Sequence, residues 1–234
     1  MQPIDQNSPV PMPVDPWFVS LDPDDRQALL AKTATHSVEA GEFLFRQGDS
    51  PDGFYGIVSG FVKVSVLRED GKEAILTVLE PGNWFGEVSA IDGKPRSHDM
   101  VAVGRVELRY LTKEHFDRLL HRNSFCRAIA LLQARHIRAV YSFLEDATLR
   151  STRARVARRL EWLAHGDTTM ASDSRRGITV SQEVLAMMLG ITRQTLALEL
   201  KSIEASGAIA MSYRHITIVS IEQLRRIGND SVVR

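Results

Sequence analysis

From Gly41 to Gly104 the chain is broken into short apolar runs, "EFLFRQ", "FYGIV", "FVKVSVL", "EAILTVL" and "VELRYL", several of which alternate apolar with polar residues. Alternation sets one face of an extended chain against a core and the other in water, so these runs read as strands. Ten of the fifteen glycines fall in this stretch, and the breaks "REDGKE" and "EPGN" have hairpin-turn composition. An antiparallel roll of roughly eight strands is expected. After a cap at Thr112 the period becomes helical, predicting a helix pair that ends in one long helix. That helix carries two apolar stripes, one through Leu132, His136, Ala139 and Phe143, the other through Ile137, Val140 or Tyr141, Leu144 and Ala147. A helix apolar on two faces must bury both. One can lie on the roll; the other calls for a second copy of the chain or for a neighbouring domain of the same chain.

Upstream, "LDPDDRQALLAKTATHS" predicts a short helix with Asp22 as N-cap and Pro23 at its first position. Five of the nine prolines fall within the first sixteen residues, which have no periodic apolar face and read as a disordered tail. Downstream come a basic helix, "STRARVARRLEWLAH", and a loop, "GDTTMASDSRRG". Beyond the loop, Ser181 caps a helix carrying Val184, Leu185, Met188 and Leu189, Gly190 ends it, and Thr192 caps a second helix. Ala186 lets the two axes approach, Gly190 supplies the positive φ of the turn, and Leu196 fills the corner, which is the spacing of a helix-turn-helix. "GAIAMSYRHITIV" reads as a hairpin wing. The fold expected is α+β, divided into a tail (1–16), a β-roll (17–121), a dimerisation helix (122–148) and a winged helix-turn-helix (149–234).

Composition changes this picture in three places. Hydrophobic residues make up 44% and charged residues 25% of the 234, which are globular proportions with room for two modest cores. No apolar run approaches the roughly 20 residues that span a bilayer, and the start lacks a signal peptide's basic and apolar regions, so a cytoplasmic protein without a membrane partner is expected. The lone Cys126 excludes an internal disulfide, an iron-sulfur cluster and a structural zinc site, and is expected to be a small buried hydrophobe. The net charge of zero conceals segregation: residues 1–120 hold 12 Lys+Arg against 19 Asp+Glu, a net −7, and residues 121–234 hold 17 against 10, a net +7. A basic half of this kind suits a polyanion.

Arg193, Gln194 and Thr195 start the second helix of the motif, where side chains reach base edges in the major groove. Arg pairs bidentately with guanine and Gln with adenine. Ser181, Thr192, Lys201 and Arg214 complete the candidate DNA-binding set, with His215 near phosphates. Arg153, Arg155, Arg158 and Arg159 read as a solvated face or as further phosphate contacts. A helical hairpin used only for protein contact is the alternative.

With these residues assembled, the chain resembles the CRP/FNR family of bacterial transcription regulators from about Trp17 to Ile227, through the glycine-punctuated roll, "FGEVSAIDGKPRS" in the position of that family's phosphate-binding cassette, the long helix and "ITRQTLALELKSIEASGAI". The resemblance implies a homodimer joined through the long helices, a ligand pocket in each roll, a palindromic operator in double-stranded DNA, and RNA polymerase as a partner. It also implies a cassette in which Glu87 accepts a ribose hydroxyl, Arg96 pairs with phosphate, Ser97 donates a further hydrogen bond, and Gly86 and Val88 open a short helical turn. His98 and Asp99 stand where the family has Ala and Thr, and Val140 and Tyr141 where cAMP-responsive members carry hydroxyls, leaving Tyr141 as the available hydroxyl. Ala197 and Leu198 replace the usual Ser-Arg or Asn-Arg of the recognition helix, so the half-site should differ from the best-known one. The ligand is left open between cAMP or another cyclic nucleotide, a different molecule, and a cassette kept as scaffolding with Arg96 paired to an acid. Haem through His98 or His136 has little support from a lone histidine. A cyclic-nucleotide-binding regulatory subunit acting on a protein partner is the competing function. An enzyme is not expected, because Ser97, His98 and Asp99 alternate across a strand and cannot form a triad.

Overall fold

Asp15 accepts hydrogen bonds from the backbone N–H groups of Trp17 and Phe18 and, with Pro16 behind it, starts α1 (Pro16–Ser20). The same Asp-Pro device at Asp22 and Pro23 starts α2 (Pro23–Ala31), as the sequence predicts. The computed structural model describes residues 15–67, 71, 73–165, 177–178, 180–212 and 215–230. Most of the expected tail, the 166–176 loop, most of the "REDG" turn and Arg214 lie outside the described residues. Pro16, expected in the tail, belongs to α1. The turn is held by Trp17, which is buried and donates its indole N–H to the Ala128 carbonyl at 2.8 Å.

Six strands form one antiparallel sheet: β1 (Ala34–Val38), β2 (Phe43–Phe45), β3 (Gly53–Leu67), β4 (Glu73–Leu79), β5 (Trp84–Phe85) and β6 (Asp99–Thr112). Among the described residues the expectation of about eight becomes six; β3 joins the two predicted runs "FYGIV" and "FVKVSVL", and β6 extends the run "VELRYL" back to Asp99. Their pairing continues from Gly53↔Thr112 to Ser65↔Asp99, with register shifts between Ile57 and Phe61 where the long strands bend. The bend closes the sheet around Ile57, Val62, Val106 and Leu108. A second core, with Phe54, Trp84, Phe116 and Phe125 at its centre, joins the sheet to α1, to α4 (Lys113–Leu120) and to α5 (Asn123–Leu149).

In α5 the first predicted stripe is on the roll, with Leu132 and Ala139 buried, and the second is left bare: Ile137, Val140, Tyr141 and Leu144 are 52% to 68% exposed. Cys126 corrects an expectation, since it is exposed. Phe125, Ala128, Ile129 and Leu132 take the inward positions, and residue 126 falls about 100° around the axis from Phe125.

The rest of the chain folds around its own core of Leu160, Leu185, Leu196, Leu200, Ile203 and Leu224. It comprises α6 (Thr152–Ala164), β7 (Gly177–Ile178), α7 (Gln182–Leu189), α8 (Arg193–Ala205), β8 (Ile209–Ser212), β9 (His215–Ile218) and α9 (Ile221–Gly228). The expected two-stranded wing has a third strand, in the order β7-β9-β8.

Candidate effector pocket and nucleic-acid interface

Gly86 opens the pocket. Its φ of +95° lies in the left-handed region, and a Cβ there would meet the Gly53 carbonyl oxygen at 3.0 Å and Arg96 Nη1 at 3.1 Å, so only glycine fits. The chain then turns into α3 (Glu87–Asp92), as the cassette resemblance implies. Arg96 is 3% exposed beneath this turn. It donates Nη1–H to the Gly86 carbonyl at 2.7 Å and Nη2–H to the Gly53 carbonyl at 2.9 Å, and it pairs with Asp52 Oδ1 at 2.6 Å. Its guanidinium lies 4.1 Å from the Phe45 ring centroid, and its buried Nε–H has no acceptor among the described residues. Asp52 also accepts from the Tyr55 hydroxyl, whose pKa is raised by burial and then by that carboxylate. Arg96 therefore rests on an internal acid and keeps one unmatched donor.

Glu87 is 2% exposed; its Oε1 accepts from Gln133 Nε2 at 2.6 Å and lies 3.2 Å from His136 Nδ1, tying the cassette to α5. Around these polar groups is a cavity of about 260 Å³ with apolar walls that include Phe45, Leu79, Phe85, Met100 and Phe143. Val88, Ser97 and His98 also line it. Ser97 Oγ and His98 Nδ1 are 2.9 Å apart, and burial pulls the His98 pKa down against the raising effect of Asp99. Asp99 is turned to other work, accepting from the Gln47 N–H at 2.8 Å. Tyr141 corrects the sequence reading: it is 68% exposed and outside the cavity wall, whereas Val140 is part of that wall. The helix turns the two neighbours about 100° apart, so both cannot face the roll.

A second cavity, of about 610 Å³, lies between β4, α5, α6 and α7, and shares Leu76, His98, Val140 and Phe143 with the first. Across it Arg159 donates to the Leu76 carbonyl at 3.1 Å and lies 4.6 Å from the Phe143 ring centroid, while Phe143 and Trp162 have centroids 4.9 Å apart. At the α5–α6 junction, buried Asp146 pairs with Arg150 at 2.8 Å and with Arg158 at 2.7 Å. Arg153 pairs with Glu199 at 3.0 Å, and Arg155 donates to the Leu189 carbonyl at 2.5 Å. The four arginines considered as a solvated or phosphate-contacting face are thus engaged within the chain.

In the helix-turn-helix, Ser181 Oγ accepts from the Val184 N–H and Thr192 Oγ1 from the Thr195 N–H, and Gly190 has φ +64° between them. Ala186 and Leu196 are buried where the helices cross. Arg193, Gln194 and Lys201 are exposed on α8. Thr195 is half-buried, its hydroxyl 2.9 Å from that of Thr192, so it supports the cap more than it faces outward. Ser181 and Arg193 border one cleft of about 340 Å³ together with Ser212 and His215 of the wing.

Two family models match the chain: the cyclic nucleotide-binding domain over residues 35–123, and the Crp-like helix-turn-helix domain over residues 154–227. Transcriptional regulator LdrP of Thermus thermophilus is 30% identical over 188 residues, covering 79% of this chain and 92% of the relative. The chain belongs to the CRP/FNR family of transcription regulators. Within the family, a CRP-like cAMP-activated global transcriptional regulator of Mycobacterium tuberculosis is 26% identical over 212 residues, covering 89% of this chain and 94% of that protein. The fold agrees with FixK2 of Bradyrhizobium japonicum at a TM-score of 0.75, with 17% identity over 85% of this chain and 98% of that one. The family of this CRP/FNR protein is one of transcription regulators, and both relatives just described are named as transcriptional regulators, which favours that reading over the regulatory-subunit alternative. Among the described residues no helix is long and apolar enough to cross a membrane.

Sequence reasoning missed Asp52 and Gln133, and considered His136 only as a haem ligand. The Asp52–Arg96 pair spans 44 residues and carries no spacing signal. Gln133 and His136 did leave one, since they are three apart beside the stripe that packs on the roll.

Proposed function

We propose that the chain acts as a homodimer that reads a two-fold symmetric duplex through the exposed start of α8, under the control of a small molecule bound in the roll. The observation that carries the reading is the exposed Arg193 and Gln194 at the start of a helix set by a glycine turn, in the half of the chain with net charge +7. The bare stripe of α5 supports the dimer, because a second copy is the partner that presents the same stripe.

A cyclic nucleotide fits the pocket best. Arg96 is a cation in the wall of the cavity, beside the Gly86 turn, where a phosphate would find an opposite charge together with the hydroxyl of Ser97. A relative named as cAMP-activated adds weight. The ligand would act on DNA binding by moving Leu76, His98 and Phe143, which form walls of both the pocket and the interdomain cavity. The size of the effect equals the ligand's difference in affinity for the two arrangements.

Fluorescence anisotropy with labelled duplexes tests the reading. Affinity should fall steeply with salt, by a log-log slope of about 0.9 per phosphate contacted. Arg193→Ala should cost about 1 to 3 kcal/mol and relax preference at one base pair. Salt-independent binding, or an unchanged affinity and preference in the variant, contradicts it.

A further inference from the structure

Leu198 is the most exposed of the large apolar side chains described, at 69%, and it lies on the outward face of α8. The spacing is regular. Gln194, Leu198 and Lys201 stand at i, i+4 and i+7, on the side opposite Leu196, Leu200 and Ile203, which are all at 0% exposure. An isolated surface leucine needs no explanation by itself. This one is bracketed by a cation and an amide on the face that enters the groove, and it can neither pair with a phosphate nor hydrogen-bond a base edge.

In the major groove the apolar feature of a base pair is the C5-methyl group of thymine. We propose that Leu198 is a specificity-determining residue that packs on a thymine methyl in each half-site, close to the base pair met by Gln194. The basic neighbours favour nucleic acid over an apolar protein surface as its occupant: Arg193 and Lys201 are both exposed on the same helix, and the surrounding half of the chain is basic. The inference rests on the DNA-binding reading and adds to it the identity of one base.

Duplexes selected by the full-length protein from a random pool, with and without cyclic nucleotides, supply the site, and each thymine is then replaced in turn by deoxyuridine, which lacks only the methyl. One thymine per half-site should respond, with about a fourfold loss of affinity for one replacement and about fifteenfold for the symmetric pair, the loss expected for about one buried methylene-sized group. Leu198→Ala, an exposed change that leaves the core untouched, should bind the thymine and deoxyuridine duplexes equally. No responsive thymine, or a response that persists in Leu198→Ala, overturns the inference while leaving DNA binding intact. Failure to select any duplex overturns the DNA-binding reading with it.

Discussion

His98 stands at the wall shared by the ligand cavity and the interdomain cavity, and burial favours its neutral form. The unfolded chain therefore binds more protons than the folded one once pH falls below the ordinary value of 6.5 for this group. The folded state loses stability as pH drops through that value and the loss saturates below the depressed folded pKa. His98→Asn should flatten this dependence: between about pH 7.5 and about pH 5 the urea midpoint of the wild type should fall further than that of the variant. A variant with the same slope as wild type contradicts the assignment. The cassette residues Gly86, Glu87 and Arg96 were legible because a short local motif carries them. Asp52 was not, because it reaches Arg96 across 44 residues of chain with no spacing to mark it, whereas Gln133 carried only the indirect signal of its place beside the stripe that packs on the roll.

At the level of elements, α5 shows how far periodicity reaches. Its two stripes predicted one face on the roll and a second face in need of a further partner; the first is buried on the roll, and the second is exposed in the single chain. Periodicity does not report how strands join, so the continuous β3 looked like two runs and β6 like the shorter run "VELRYL"; the interruptions at Ser59–Gly60 and Gly104–Arg105 bend the strands without ending them. Helix α1 was missed although Asp15-Pro16 repeats the Asp-Pro signal of α2, because five residues are too few to show a period. The bare stripe supplies a prediction. Burying Ile137, Val140 and Leu144 against a second copy would return about 1.5 to 3 kcal/mol each. Ile137→Glu with Leu144→Glu should convert the proposed dimer to a monomer by light scattering while leaving circular dichroism unchanged, since both side chains are outside the core. A double variant that stays dimeric, or a monomeric wild type, rules out this face as the interface.

For the whole molecule, charge and geometry divide in the same place. The acidic half builds the roll and most of its pocket, which α5 completes with His136, Ala139, Val140 and Phe143, and the basic half presents α8 and the wing. The segregation was visible in the sequence, but much of the positive charge is engaged within the chain, with Arg150 and Arg158 on Asp146, Arg159 against Phe143, and the exposed Arg153 on Glu199. Net charge therefore located the nucleic-acid-binding half without identifying which cations face solvent. Arg193 and Lys201 are among those that do. The most direct test of a paired protein gripping a duplex is the footprint and stoichiometry on a selected site. Two chains per duplex, protecting half-sites related by two-fold symmetry with centres about 10 base pairs apart, is the predicted result. One chain on an asymmetric site, or protection without sequence preference, would contradict the account.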